Sequence, residues 1–341
     1  MSGRKLLALL LTACLLAGCG ALAEPGLTRY QATYLTLFDT VTTILGYSGS
    51  EEEFEATAQQ LHDEMLRYHQ LFDIYNDYEG VNNLKTVNDQ AGIAPVKVDP
   101  VLMALLKDCK AYYELTDGKV NVFMGSVLKL WHDARTAGID DPERAALPDE
   151  EALRVASRHT DPDDVILDEE AMTVYIADPM LRLDVGAVAK GWSTQQVCSK
   201  APEGLLVSVG GNVFATGPKP SGESWVVGVQ SPDEESRYLH TLNTVGGSVV
   251  TSGDYQRYYV VDGERYHHII DPETLAPSRY WRSVTVICED SGLADCLSTA
   301  LFLLPQAEGQ ALLEKTGAQA IWVDAEGNEF CSPGFSDFVR T

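Results

Sequence analysis

The chain has 341 residues, of which 45% are hydrophobic and 9% aromatic, and its formal net charge is −25. This composition is typical of a globular protein with chain enough for one large core or two subdomains, and it excludes a disordered or an integral membrane protein. The acidic balance lacks the basic footprint of a nucleic-acid-binding protein, so we expect no nucleic acid as a partner. An anionic substrate would need local help from a metal ion or from helix N-termini.

The N-terminal segment predicts a lipoprotein signal. A short basic start precedes the apolar run 6–17, which is shorter than the ~20 residues that span a bilayer. The sequence LAGC, ending at Cys19, then fits a site at which a lipoprotein is cleaved and its cysteine acylated, with an ordinary secretory signal as the alternative. We therefore expect the protein to lie outside the cytoplasm, anchored to the cell membrane by a lipid on Cys19. The expected organisation is a signal peptide at 1–18, a tether at 19–29 and one domain at 30–341.

Hydrophobic patterns predict a mixed order of strands and helices along that domain. In the first half they predict a strand at 34–47, helices at 51–70 and 100–116, a short helix within 71–88, a helix ending the segment 117–131, and a surface insertion at 134–164 with a helix at 150–159. In the second half they predict a hairpin at 165–177, a strand, turn and helix at 181–198, partner strands at 205–217 and 225–230, strands at 239–245, 248–252, 255–261 and 282–289, and a buried helix at 293–303. Because strands and helices do not alternate as regular βαβ units, the predicted class is α+β with mainly antiparallel sheets.

A first group of candidate functional residues is the segment DVGAVAKG, from Asp184 to Gly191. Small residues between a strand and a helix allow a phosphate to approach main-chain N–H groups, and Lys190 could add a positive charge. The pattern is neither a P-loop nor a dinucleotide-binding fingerprint, and a tight strand-to-helix turn would explain it equally well.

A second group is Asp295 with Thr299, four residues apart on one face of the predicted helix. Two oxygen ligands of this kind suit Mg²⁺ better than zinc or copper. The alternative is an Asp that caps the helix and a Thr that bonds back to its own helix.

The third group is the stretch 250–272, in which Asp262-Gly263 predicts a hairpin turn. The hairpin would carry His267, His268 and Asp271 to a strand end. His268 and Asp271 could be a general base and its orienting partner, or Asp271 could be a second metal-site carboxylate. Because side chains alternate along a strand, only one of the two histidines can face a site.

Taken together, these motifs resemble the ApbE family of FAD:protein FMN transferases. The resemblance rests on the order of DVGAVAKGW, SVGGNVFATG, TSGDYQRYY, YHHIIDPET and ADCLSTALF, with LFDTVTTILGY, FDIYNDYEGVNNLKTVN and GKVNVFMGSVLKLW before them. It covers roughly residues 30–335, and no single motif carries it alone. It implies an ApbE-like, T-fold-like single catalytic unit.

The resemblance also implies an activity. The family binds FAD and a divalent cation, usually Mg²⁺, attaches FMN through its phosphate to a Thr or Ser of a target protein, and releases AMP. The targets resemble subunits of Rnf- or Nqr-type redox pumps and related extracytoplasmic flavoproteins. Some relatives hydrolyse FAD to FMN and AMP, so an FAD pyrophosphatase and a non-catalytic FAD-binding lipoprotein are the alternatives.

Matching positions imply a role for each candidate residue. The Ala187 carbonyl with the Asp295 and Thr299 side chains would hold the metal, and His268 would be the base, with Asp271 beside it. The implied FAD contacts are Tyr75, Lys119, Val120, Asn121, Asp184, Lys190 and Ile270. The chain departs from the family pattern at Asn121, where Asp is usual, at Leu275, where many relatives have Gly, and at Phe38, where some have Met.

Overall fold

An eight-stranded antiparallel sheet forms the centre of the computed structural model, which describes residues 26–233 and 238–340. In chain order the strands are β1 (Thr28–Leu37), β2 (Thr40–Ser48), β3 (Val96–Lys97), β4 (Val165–Asp168), β5 (Thr173–Ile176), β6 (Leu206–Val209), β7 (Asn212–Ala215), β8 (Trp225–Gln230), β9 (Tyr238–Thr244), β10 (Gly247–Gly253), β11 (Tyr258–Val261), β12 (Glu264–His267), β13 (Ser283–Cys288), β14 (Gln319–Val323) and β15 (Glu329–Cys331). The helices are α1 (Glu51–Phe72), α2 (Leu84–Asp89), α3 (Pro100–Leu115), α4 (Gly125–Asp140), α5 (Glu150–Ala156), α6 (Ala189–Cys198), α7 (Ser291–Leu303) and α8 (Gln306–Thr316).

The central sheet has the order β1-β2-β6-β7-β10-β13-β14-β15 and separates two cores. Helices α1, α6 and α7 pack on one face, where they bury the larger core around Leu297 and Phe302. The two-stranded sheet β8–β9 covers the other face, where Trp225 and Val227 meet Val249. The predicted α+β class with mainly antiparallel sheets is therefore confirmed.

The helices begin where the sequence provides caps. The Ser50 side chain accepts a hydrogen bond from the Glu53 N–H, and Asp99 precedes Pro100 at the start of α3. The N-cap of α7 is Asp290, whose side chain accepts from the Leu293 N–H. Asp295 therefore lies inside α7, and the alternative that it caps this helix is wrong.

Two strand predictions are wrong because their turns were not recognised. The segment 34–47 is a hairpin of β1 and β2 that turns at Phe38 and Asp39, with φ of 51° and 53°. The segment 205–217 is also a hairpin, formed by β6 and β7 around Gly210-Gly211. Consequently β6 and β7 pair with each other, and β8 pairs with β9 instead.

The strand predicted at the start of 181–198 is wrong, because within the ranges that the structure covers this segment makes only one isolated bridge, from Arg182 to Met124, and lies along the residues before α4 instead of joining a sheet. The other elements lie close to their predicted positions. Helices α1, α3, α5 and α7 and the hairpin β4–β5 are confirmed, whereas α4 extends to Asp140, into the segment 134–164 that was predicted as an insertion. The Asp262-Gly263 turn joins β11 and β12, with φ of 51° and 84°.

The N-terminal predictions fall largely outside the described residues. The signal peptide, Cys19 and the tether up to residue 25 are not covered, and β1 begins at Thr28, within the expected tether range. In the described part of the chain, no helix combines the length and apolarity needed to cross a membrane.

Candidate active site

The turn into α6 contacts α7 directly, so the first two groups of candidate residues adjoin. The Gly191 N–H donates to Asp295 Oδ2 at 2.8 Å across 104 positions of sequence, and Lys190 Nζ lies 3.6 Å from the same oxygen. A Cβ on Gly191 would lie 2.3 Å from the Ser291 carbonyl oxygen and 2.4 Å from Asp295 Cβ. Only glycine permits this approach of the two helices.

Asp295 is a buried carboxylate whose pKa is shifted in opposite directions by burial and by its neighbours. The residue is 4% exposed, and burial raises its pKa, while Lys190 and the Gly191 N–H oppose that rise. Thr299 Oγ1 donates to the Asp295 main-chain carbonyl at 3.3 Å, so the bond of Thr299 back to its own helix, which was the alternative to a metal-ligand role, is present.

The three predicted metal ligands are all oxygen donors. A carboxylate from Asp295, a hydroxyl from Thr299 and a main-chain carbonyl from Ala187, in the turn before α6, are hard ligands of the type that Mg²⁺ prefers. Across residues 26–233 and 238–340, no group of three or more His, Cys, Asp or Glu side chains could hold a metal. The predicted set has one carboxylate, so the charge of a bound cation would be left largely for the substrate to neutralise.

His268 follows β12 and is oriented by a main-chain carbonyl. Its Nδ1 lies 3.2 Å from the Arg257 carbonyl oxygen. A carbonyl only accepts hydrogen bonds, so Nδ1 carries the proton and Nε2 keeps its lone pair. Burial, with the nearby charges of Arg257 and Arg135, holds the pKa of His268 well below its usual value. The imidazole is therefore neutral near pH 7 and can accept a proton at Nε2.

The second histidine of the hairpin is structural. His267 is buried, its Nε2 lies 2.7 Å from the Ser278 carbonyl oxygen, and its Nδ1 accepts from the Ile269 N–H at 3.2 Å. Both ring nitrogens are thus engaged within the protein, as expected if only His268 serves the site.

Asp271 pairs with Lys119 rather than with His268. Lys119 Nζ lies 3.4 Å from Asp271 Oδ1 and 2.8 Å from Glu273 Oε1. Burial lowers the pKa of Lys119, but the hydrogen bonds and charges of these two carboxylates outweigh it and raise the pKa overall. The expectation that Asp271 orients the His268 ring is not what the contacts show, because the Arg257 carbonyl has that role.

Three other predicted FAD contacts have side chains already engaged in the fold. Val120 is buried and its N–H donates to Thr116 Oγ1, while Asn121 Oδ1 accepts from the Phe123 N–H at 2.8 Å. Ile270 is buried in a small core beside α4. Val120 and Ile270 could therefore contact a ligand only through main-chain atoms.

Tyr75 lies in a cluster with His132 and Arg135, two residues that the sequence did not suggest as site residues. The tyrosine is 56% exposed, and its ring centroid lies 5.2 Å from that of His132 on α4. His132 Nδ1 in turn lies 3.1 Å from an Arg135 guanidinium nitrogen. The i, i+3 spacing of His132 and Arg135 in LWHDAR indicated a shared helix face, but not that this face meets Tyr75.

Asp184 borders the same cluster. Its Oδ1 accepts from the Gly186 N–H at 2.9 Å, and burial raises the pKa of its carboxyl, while His132, Arg257 and Arg135 oppose that rise. Arg257 is the third residue that the sequence reasoning missed. Positive side chains thus gather around this region in a chain of net charge −25. Such a cluster can bind an anion that the rest of the protein surface repels.

The fold and the site define a class: an α+β protein with a neutral histidine, a buried carboxylate and several cations, suited to reactions of a polyanionic substrate. The family to which the chain belongs narrows this class of protein further. The model of the ApbE family matches residues 28–322, and the chain belongs to that family.

Curated relatives and solved structures agree with this assignment. The chain is 35% identical over 275 residues to a protein of Klebsiella pneumoniae (strain 342) named FAD:protein FMN transferase, covering 77% of this chain and 83% of the relative. It is 36% identical over 277 residues to the protein of that name from Treponema pallidum (strain Nichols), covering 75% of each. The crystal structure of the ApbE protein from Thermotoga maritima superposes with a TM-score of 0.81 at 32% identity, covering 92% of this chain and 100% of that one. The flavin transferase ApbE from Vibrio cholerae shares the fold, with a TM-score of 0.76 at 23% identity, covering 92% and 99%.

Proposed function

We propose that this protein transfers the FMN moiety of FAD to a Thr or Ser hydroxyl of a target protein and releases AMP. The observation that carries the proposal is membership of the ApbE family, with relatives named FAD:protein FMN transferase over most of their length. The site supports it, because a neutral histidine lies among cations that suit a diphosphate.

The proposed reaction is a substitution at the phosphorus of the FMN half of FAD. The target hydroxyl oxygen forms a new P–O bond, the P–O bond to the bridging oxygen breaks, and AMP leaves with that oxygen. His268 Nε2 accepts the hydroxyl proton and then passes it to solvent. A hydroxyl is a weak nucleophile until a positioned base takes its proton, which gives His268 its role.

We further propose that Mg²⁺ is held by the side chains of Asp295 and Thr299 and the carbonyl of Ala187. When bound, the ion would neutralise diphosphate charge and so stabilise the departing AMP. Lys190, beside Asp295, supplies a second positive charge for the same anion. Tyr75 offers an exposed aromatic face on which a flavin or adenine ring can stack.

The proposed targets are the flavin-accepting subunits of Rnf- or Nqr-type redox pumps or related extracytoplasmic flavoproteins. The proposed location is the outer side of the cell membrane, with a lipid on Cys19. The LAGC sequence after an apolar run supports the anchor.

Incubation of the chain with FAD, Mg²⁺ and a purified candidate acceptor tests the proposed reaction. Mass spectrometry of the acceptor and analysis of the nucleotides distinguish three results. An FMN adduct on a Thr or Ser with release of AMP supports transfer. Free FMN and AMP without adduct would identify an FAD pyrophosphatase, and bound FAD without AMP would identify a binding protein; either would overturn the proposal.

A further inference from the structure

Among the residues that the structure describes, no strand pairs with the edge of β11 that faces away from β12. Val261 pairs with Glu264 across the two-residue turn, and residues that flank such a turn exchange main-chain hydrogen bonds. Because the direction of hydrogen bonding alternates along a strand, the N–H and C=O groups of Tyr258 and Val260 point away from β12.

The contacts of the opposite strand agree with this register. Arg265 pairs with Val260, so its carbonyl also points outward, and it accepts a hydrogen bond from Arg279 at 3.2 Å. That side of the sheet is therefore partly covered. On the β11 side, no group within residues 26–233 and 238–340 makes a hydrogen bond to the outward main-chain atoms of Tyr258 or Val260.

The face of the sheet next to this edge is accessible. Tyr258 is 36% exposed and Val260 46% exposed, whereas Tyr259, on the other face, is buried against Gly138 of α4. Unpaired, exposed strand edges are usually protected in native proteins, because they can pair with another chain. An exposed aromatic and a β-branched side chain beside such an edge suit an added strand.

The edge leads directly to the candidate base. Arg257 precedes Tyr258, and its carbonyl holds His268 Nδ1. Arg265 and Arg282 both lie near Asp254, whereas no ion pair engages the Arg257 guanidinium in the described part of the chain. The edge is thus cationic where it reaches His268 and acidic at the distant turn, which carries Asp262.

Building on the proposed function, we propose that the β11 edge binds an extended segment of the acceptor protein as an added strand. Main-chain hydrogen bonds would give most of the affinity, as in other proteins that recognise peptides by strand addition. The added strand brings a Thr or Ser at its end to His268. Placement by the main chain would let one enzyme accept targets with different side chains around the hydroxyl.

Hydrogen exchange resolved to single amides tests this docking mode. The probe is the flavin-accepting subunit of an Rnf- or Nqr-type pump that the wild-type chain labels, with its acceptor Thr replaced by Val so that the complex accumulates. We expect the Tyr258 and Val260 amides to exchange quickly in the FAD-bound protein and at least about tenfold more slowly with the probe, the effect of one protecting main-chain hydrogen bond. The Tyr259 and Val261 amides, already paired with β12, serve as internal controls.

Unchanged exchange at Tyr258 and Val260 in the presence of a probe whose Thr form is labelled would overturn the inference. Protection that falls instead on the edge strand β1, or that appears without the probe because a second copy of the chain pairs there, would also overturn it. A wild-type chain that labels no acceptor contradicts the proposed function itself, so the two failures are distinguishable.

Substitutions at the edge provide a second measurement. Val260→Pro removes the outward N–H and should lower the rate of acceptor labelling at least about tenfold with FAD affinity retained. Val260→Ala keeps the main-chain groups and should lower that rate much less. Equal labelling rates in the two variants would contradict strand addition, and FAD binding reports whether the proline variant remains folded.

Discussion

The candidate base His268 is oriented by the main chain of the neighbouring strand. Arg257 lies across the hairpin from it, so the Nδ1–H to carbonyl bond is fixed by the register of β11 and β12. A sequence pattern of His followed by Asp suggests a side-chain partner, but a main-chain acceptor leaves no mark in the sequence. For this reason the sequence suggested Asp271 as the partner of His268, whereas the contact observed is with the Arg257 carbonyl.

Replacement of His268 tests its role as the base. His268→Ala should lower the rate of FMN transfer by about 10²–10⁴-fold, the usual contribution of a positioned general base, while FAD affinity changes little. The rate is measured by acceptor labelling and the affinity by flavin fluorescence. His240→Ala, the same change at the Glu329 contact on β9, is the matched control. Full transfer by the His268 variant would show that another group accepts the proton.

The buried His267 makes stability depend on pH. Burial lowers its pKa from 6.5 to about 4, with the Ser278 carbonyl opposing the shift. A histidine whose folded-state pKa is depressed stabilises the fold above its unfolded-state pKa, and this is lost as pH falls from about 6.5 to about 4. The loss should be on the order of 3 kcal/mol in free energy of unfolding, measured by urea denaturation. In His267→Gln this component should be absent, so equal pH dependence in both proteins would exclude it.

Among the secondary-structure elements, the sequence predicted those whose conformation depends on a few neighbouring residues. The Asp262-Gly263 pair predicts the β11–β12 turn, because both residues tolerate positive φ. The β1–β2 turn uses Phe38 and Asp39 in the same region of φ, and a sequence without glycine there reads as one continuous strand. The three groups of candidate residues were found for the same reason, since each lies within a short segment.

Tertiary contacts decide the side-chain pairings that the sequence did not predict. The Lys119–Asp271 pair spans 152 positions, and the contact between Tyr75 and His132 depends on how α4 packs. Neither pairing has a local pattern, so the sequence predicts candidates but not which of them meet.

The contact between α6 and α7 predicts a strict need for glycine at position 191. Gly191→Ala would place Cβ against the Ser291 carbonyl and Asp295 Cβ, and the helices would have to separate. We expect a loss of roughly 1–3 kcal/mol in the free energy of unfolding and weaker metal-dependent FAD binding. Gly246→Ala is the control, because the nearest atom to its added Cβ lies 4.0 Å away. Equal stability and FAD binding in the two variants would contradict this packing.

At the scale of the whole molecule, charge is distributed unevenly. A net charge of −25 repels anions in general, while Lys190, Arg135 and Arg257 surround the site and offset this locally. The anionic substrate is thus directed to one region of an otherwise acidic protein.

The proposed anchor is tested on the full chain expressed in a bacterial host. The mature protein should carry a diacylglyceryl group on Cys19 and fractionate with membranes, whereas Cys19→Ala should lose both the lipid and the membrane association. Intact-mass measurement and fractionation are the readouts. A wild-type chain without lipid, cleaved elsewhere, would instead identify an ordinary secretory signal.

The ratio of AMP released to FMN attached to the acceptor distinguishes FMN transfer from FAD hydrolysis. With FAD, Mg²⁺ and an acceptor present, we expect one AMP for each FMN adduct, and no adduct on an acceptor whose Thr or Ser is replaced by Ala. AMP accumulating with free FMN while the acceptor stays unmodified would contradict it.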